Sequence, residues 1–156
     1  MTIQKNTIIQ PTPSNDLLLK KEKKWRIILP EDYREFIISN NGGVPNQKSF
    51  ETDKRIYVIT RFLCILSDVR DTSGGWYDIS VIESQIGERL TDNENLVGVE
   101  VLPIAELFSG DYVCLDYRKN KSKPCICVWN HEKSCEFNPV TYKVANTFTE
   151  FVKTLV

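Results

Sequence analysis

Apolar positions recur at helical spacing in four stretches of the chain and in shorter β-type runs in four more. The best delimited helix lies in residues 29–43. Pro30 suits a first helical position, where the missing N–H would be unpaired anyway, and Glu31 and Asp32 put negative charge on the positive end of the helix dipole. Tyr33, Phe36, Ile37 and Asn40 share one face by i, i+3, i+4, i+7 spacing, with Arg34, Glu35 and Ser39 opposite, so the first face predicts burial. Asn40 or Asn41 followed by Gly42 ends the helix in a left-handed conformation. The glycine pair is not a phosphate loop, because no Gly-Lys-Ser/Thr follows.

An earlier helix starts at Ser14 or Asn15 and runs to Trp25, its lysines near the negative end of the dipole. Residues 1–13, polar and carrying Pro11 and Pro13, predict an extended or mobile lead-in, and residues 14–156 a single domain. Residues 46–54 read as a polar connection to a long β run over 55–66. After a loop at 67–75, Ile79, Ile82 and Ile86 predict a helix over 76–90. A strand over 96–102 would place Val97, Val99 and Val101 on one face, with Pro103 turning the chain. Residues 112–117 and 125–129 predict two antiparallel strands around a basic loop. Thr147 to Glu150 form a capping box for a last helix that buries Phe148, Phe151, Val152 and Leu155.

The chain of 156 residues, 41% hydrophobic and 26% charged, suffices for one core, and no apolar run approaches a membrane span. With no secretion signal and five cysteines, an odd number, the reading is a cytoplasmic protein with reduced thiols. The net charge of −1 conceals a division. Residues 1–67 carry 11 Lys/Arg against 7 Asp/Glu, residues 117–156 carry 7 against 3, and residues 68–116 carry 2 against 11. The acidic middle is either a solvated face balanced by the basic thirds or a face for a partner. The lysines at 20–24 lack interleaved aromatics, so direct nucleic-acid binding is not expected.

Candidate chemistry is sparse. Cys125, Cys127, His131 and Cys135 are four soft ligands within eleven residues, but the first two fall on one face of a strand, and no two-residue cysteine knuckle is present. Core thiols, and no metal or cofactor, are the expectation. His131 is the sole histidine, and no nucleophile elbow or zinc-protease motif occurs. Asp111 and Asp116, five residues apart on a strand, would lie on the order of 16 Å apart and face opposite ways. No catalytic residues are expected.

The ordered set of 29–36 with Asn41-Gly42-Gly43, then 101–106, 110–116, 128–132 and 144–151, resembles the SUKH superfamily, which includes a fungal cell-wall-assembly regulator. The resemblance implies an α+β single domain with a twisted, mostly antiparallel central sheet flanked by helices and no catalytic residues. For bacterial members it implies an immunity protein, an antitoxin that binds and neutralises a cognate protein toxin, here one that is cationic, nucleases included. A regulatory or scaffolding interaction domain without a toxin is the alternative. The partner surface read from the residues is Asp68, Asp71, Trp76, Tyr77, Asp78, Glu83, Asp111 and Asp116. Trp76 either anchors the partner, as interface aromatics ringed by charge do, or packs in the core as the first residue of a helix. The expected state is a monomer or weak homodimer.

Overall fold

A computed structural model describes residues 1–71 and 73–156, without the side chain of Asp71. In chain order the elements are β1 (Ile3–Gln4), α1 (Asn15–Trp25), α2 (Glu31–Asn40), β2 (Val44–Pro45), β3 (Ser49–Thr52), β4 (Arg55–Phe62), α3 (Ile79–Ile86), β5 (Val101–Leu107), β6 (Tyr112–Asp116), β7 (Cys125–Trp129), β8 (Thr141–Ala145) and α4 (Phe148–Lys153). Strands β3 to β8 form one antiparallel meander in sequence order, and β1 pairs with β2 apart from it. This is the expected α+β domain. Among the described residues, four α-helices and the six-stranded sheet enclose a continuous core.

Local chemistry sets the helix ends. Ser14 caps α1 through the Leu17 N–H, and Thr147 caps α4 through the Glu150 N–H, while the Glu150 carboxylate reaches back to the Asn146 N–H. Thr147→Ala should therefore cost about 1 kcal/mol in chemical denaturation, with the fold retained. Pro30 occupies the cap of α2 rather than its first turn. The helix buries Tyr33 and Ile37, and Gly42 beyond it adopts φ +66°, where a β-carbon would meet Ile9 at 2.6 Å. The Tyr33 hydroxyl is buried with no hydrogen-bond partner among the described residues, and burial pushes its pKa up. Tyr33→Phe removes that unpaired group and should raise stability by about 1 kcal/mol in the same denaturation experiment.

Several expectations change. Residues 1–13 are tied to the body. Strand β1 pairs with β2, Ile9 is buried, and Asn41 donates to the carbonyls of Ile9 and Pro11 while exchanging bonds with the backbone of Ile65. The polar connection at 46–54 contains β3, whose hairpin with β4 turns on Asp53 and Lys54, both at positive φ, and buries Phe50. Aspartate at a left-handed turn position is tolerated, but the turn lacks the glycine that marks such hairpins in a sequence. The strand expected over 96–102 runs over β5 instead, leaving Val97 exposed. Pro103 lies inside β5 at a register shift, where a missing ladder N–H is accommodated.

Candidate partner-binding face

Helix α3 organises the acidic middle of the chain. It begins only at Ile79, because Asp78 is extended, at φ −70° and ψ 134°, and caps it. The Asp78 carboxylate accepts the N–H groups of Ser80 at 2.8 Å, Val81 at 3.2 Å and Leu66 at 2.9 Å, and the residue is 1% exposed. It therefore binds the segment after β4 to the start of α3. Ahead of it, a 3₁₀ turn over Gly75–Tyr77 carries Trp76 outward, 76% exposed. Its neighbour Tyr77 is half-buried, with the Arg61 guanidinium 4.2 Å from its ring. Between the two readings of Trp76, core and surface, the structure puts the ring at the surface.

Beyond the other end of α3, about 12 Å away at 1.5 Å per residue, lies a cleft of about 560 Å³. The end of α3, a 3₁₀ turn over Gly87–Arg89, the loop leading to β5 and Phe137 form its walls. Its charged lining is Glu83, Glu88, Glu94 and Glu100 with a single cation, Arg89. That guanidinium is engaged internally. It donates to the carbonyls of His131 and Ser134 and stacks 5.0 Å from the centre of the Trp129 ring, whose indole N–H donates to the Arg89 carbonyl. Burial raises the Glu83 carboxyl above its ordinary pKa. Among the described residues, Glu100 alone of the four carboxylates is in an ion pair, with Lys121 at 3.3 Å. Leu90, Val99 and Val101 supply an apolar floor.

The remaining sequence candidates scatter. Asp68 pairs with Arg70 at 3.0 Å on the surface, and hydrogen bonds from Arg70 hold its carboxyl down at about 2. The Asp71 side chain lies outside the described residues. Asp111 is buried before β6 and accepts from the His131 backbone N–H at 2.9 Å, with the imidazole Nδ1 at 2.6 Å and the Ser109 hydroxyl donating at 3.1 Å. Serine and histidine meet different oxygens of one carboxylate there, so histidine does not bridge serine to aspartate as in a nucleophilic triad. Asp116 binds Arg118 at 2.7 Å. Asp78 and Asp111 are thus interior groups rather than surface charges, 1% and 4% exposed, the first committed to three backbone N–H groups and the second to one backbone N–H with the Ser109 and His131 side chains.

Sequence reasoning passed over Glu88, Glu94 and Glu100 as contact residues, since only the fold brings them round one cleft. It also missed Phe108, 83% exposed at the β5–β6 turn, beside Val58, to whose carbonyl its N–H donates at 2.8 Å. The sequence signal was its place directly before Ser109-Gly110. Cys127 lies buried opposite Cys114, Cys125 is half-buried and Cys135 exposed. Among the described residues no group of three or more His, Cys, Asp or Glu side chains could hold a metal ion, and no helix is long and apolar enough to cross a membrane.

A family model for SUKH_6, described as SMI1-KNR4 cell-wall, matches residues 15–152. No curated protein and no solved structure shows significant similarity to the chain.

Proposed function

Because the chain belongs to the SUKH family, we propose that it is a non-catalytic, cytoplasmic immunity protein that captures a cognate cationic toxin domain on the face organised by α3. The observation that carries this reading is the four-carboxylate cleft whose lone arginine is held by its own protein. Proteins that grip phosphate backbones carry Lys and Arg, so a cleft of four carboxylates, of which Glu100 is paired with Lys121, steers and orients them. Trp76, exposed on the turn before the helix, supplies an aromatic anchor of the kind that dominates interface energy.

The test is co-expression with the toxin recovered by affinity purification and mass spectrometry, followed by titration of purified variants. Trp76→Ala is expected to weaken binding by roughly 30-fold, equivalent to about 2 kcal/mol, with the circular dichroism spectrum unchanged. Glu88→Lys with Glu94→Lys should slow association and reduce its salt dependence. Glu83, with its raised pKa, is expected to protonate first as pH falls, so binding weakens before ordinary carboxylates titrate, and Glu83→Gln shifts that onset downward. Undiminished protection by the Trp76 and double-lysine variants together would remove this face from the interaction. The family's cell-wall description favours a second reading, an intracellular regulatory or scaffolding domain. Recovery of envelope or signalling proteins, with no toxic domain among them, would select it.

A further inference from the structure

A second concavity, about 840 Å³, shares no lining residue with the acidic cleft. It opens between the β6–β7 loop, β8 and the starts of α2 and α4. Pro30, Pro124, Cys125, Cys127 and Phe148 give it apolar walls. Four cations and two carboxylates also line it. Arg118 is tied to Asp116 at 2.7 Å and to the Thr141 hydroxyl at 2.7 Å. The second carboxylate, Asp32, accepts from the Thr149 N–H at 2.9 Å and hydroxyl at 2.8 Å. Both acids are therefore engaged within the fold. Lys119, Lys123 and Lys143 remain, and among the described residues none has an ion pair or side-chain hydrogen bond.

Its volume lies within the roughly 300–1,000 Å³ of small-molecule sites, which combine apolar walls with a few charged groups that fix orientation. We propose that this pocket binds a small anionic ligand with an apolar body. The three ammonium groups hold its phosphate, sulfonate or carboxylate, and the body lies against Cys125 and Phe148. Lysine suits this role as a mobile point charge that needs no bidentate geometry. The ligand is chemically opposite to the cationic partner assigned to the acidic cleft, so the two sites can be tested separately.

The experiment is a fluorescence titration of the full chain with 8-anilinonaphthalene-1-sulfonate, beside its uncharged analogue N-phenyl-1-naphthylamine. The expected result is saturable one-to-one binding of the sulfonate, at least tenfold weaker for the uncharged analogue and at least tenfold weaker in the Lys123→Glu, Lys143→Glu double variant. Both lysines are exposed, so this variant should keep the wild-type circular dichroism spectrum. Cys125→Phe, which fills the pocket without altering charge, should also weaken the dye, and 1-naphthyl phosphate should displace it. Equal affinity for the two dyes, or indifference to the lysine reversal, would assign the signal to exposed rings such as Phe108 and overturn the proposal. Absence of saturable binding would also overturn it. Displacement by an oligoglutamate peptide but not by naphthyl phosphate would replace the small ligand with an acidic protein segment.

Discussion

Glu22→Ala is expected to lower the unfolding free energy by about 3–5 kcal/mol, the range for breaking a buried ion pair from one side. Glu22 is buried on α1, where one carboxylate oxygen accepts the Leu29 N–H at 2.9 Å and the other binds the Arg34 guanidinium of α2. Removing it leaves a largely buried guanidinium with only the Asn15 side-chain oxygen at 3.0 Å and the exposed Glu31 carboxylate at 4.0 Å, and leaves a buried backbone N–H unpaired. The same carboxylate thus joins the first two helices through the 26–30 linker. Urea denaturation measures the loss, and replacing both partners, Glu22→Leu with Arg34→Leu, should recover most of it because no charge is then left unpaired. A double variant no more stable than Glu22→Ala would show that the Leu29 bond, rather than the orphaned arginine, dominates.

Asp78→Ala should cost about 2–4 kcal/mol, combining a lost helix cap with an unsatisfied buried N–H at Leu66. This prediction separates two sequence neighbours. Trp76→Ala should leave the thermal midpoint nearly unchanged and impair partner binding, whereas Asp78→Ala should lower the midpoint and affect binding only as far as folded protein is lost. Asp78→Asn keeps one oxygen for the cap but turns an NH2 toward the Leu66 N–H, so it should restore only the cap's share, about 1 kcal/mol. If Asp78→Ala instead weakened binding at an unaltered melting temperature, the carboxylate would have to face the partner, against its burial.

The contrast between these residues shows where periodicity stops being informative. Trp76 lies three residues before Ile79, so an unbroken helix over 76–90 would put the indole on the buried stripe with Ile79 and Ile82. The extended backbone of Asp78 interrupts that helix and releases the turn before it, and Trp76 emerges at the surface. Asp78 could be read in the sequence as a capping residue, and equally as one carboxylate of an acidic field. Its third bond, to Leu66, comes from a segment that only the folded chain brings alongside.

Whatever depends on neighbours within a few residues was determined by the sequence alone: the caps at Ser14 and Thr147, the apolar stripe of α2, the left-handed stop at Gly42, and the alternation that sends Val113, Leu115 and Tyr117 into the main core while Tyr112 and Cys114 face the smaller one. The spacing of motifs carried the family and hence the architecture, and composition gave the acidic sign of residues 68–116. Tertiary structure alone decided which of those carboxylates remain available. Asp78 and Asp111 went inward to satisfy backbone donors, and Glu83, Glu88, Glu94 and Glu100 were gathered round one cleft, whereas the Asp116–Arg118 pair spans only two residues and is local. It also decided that residues 1–13 dock, through Asn41 and Ile9 contacts spanning about thirty residues. The physical reason is the same in each case. Caps and periodicity are short-range and written locally, but burial and charge pairing are settled by side chains that sequence distance keeps apart and packing brings together.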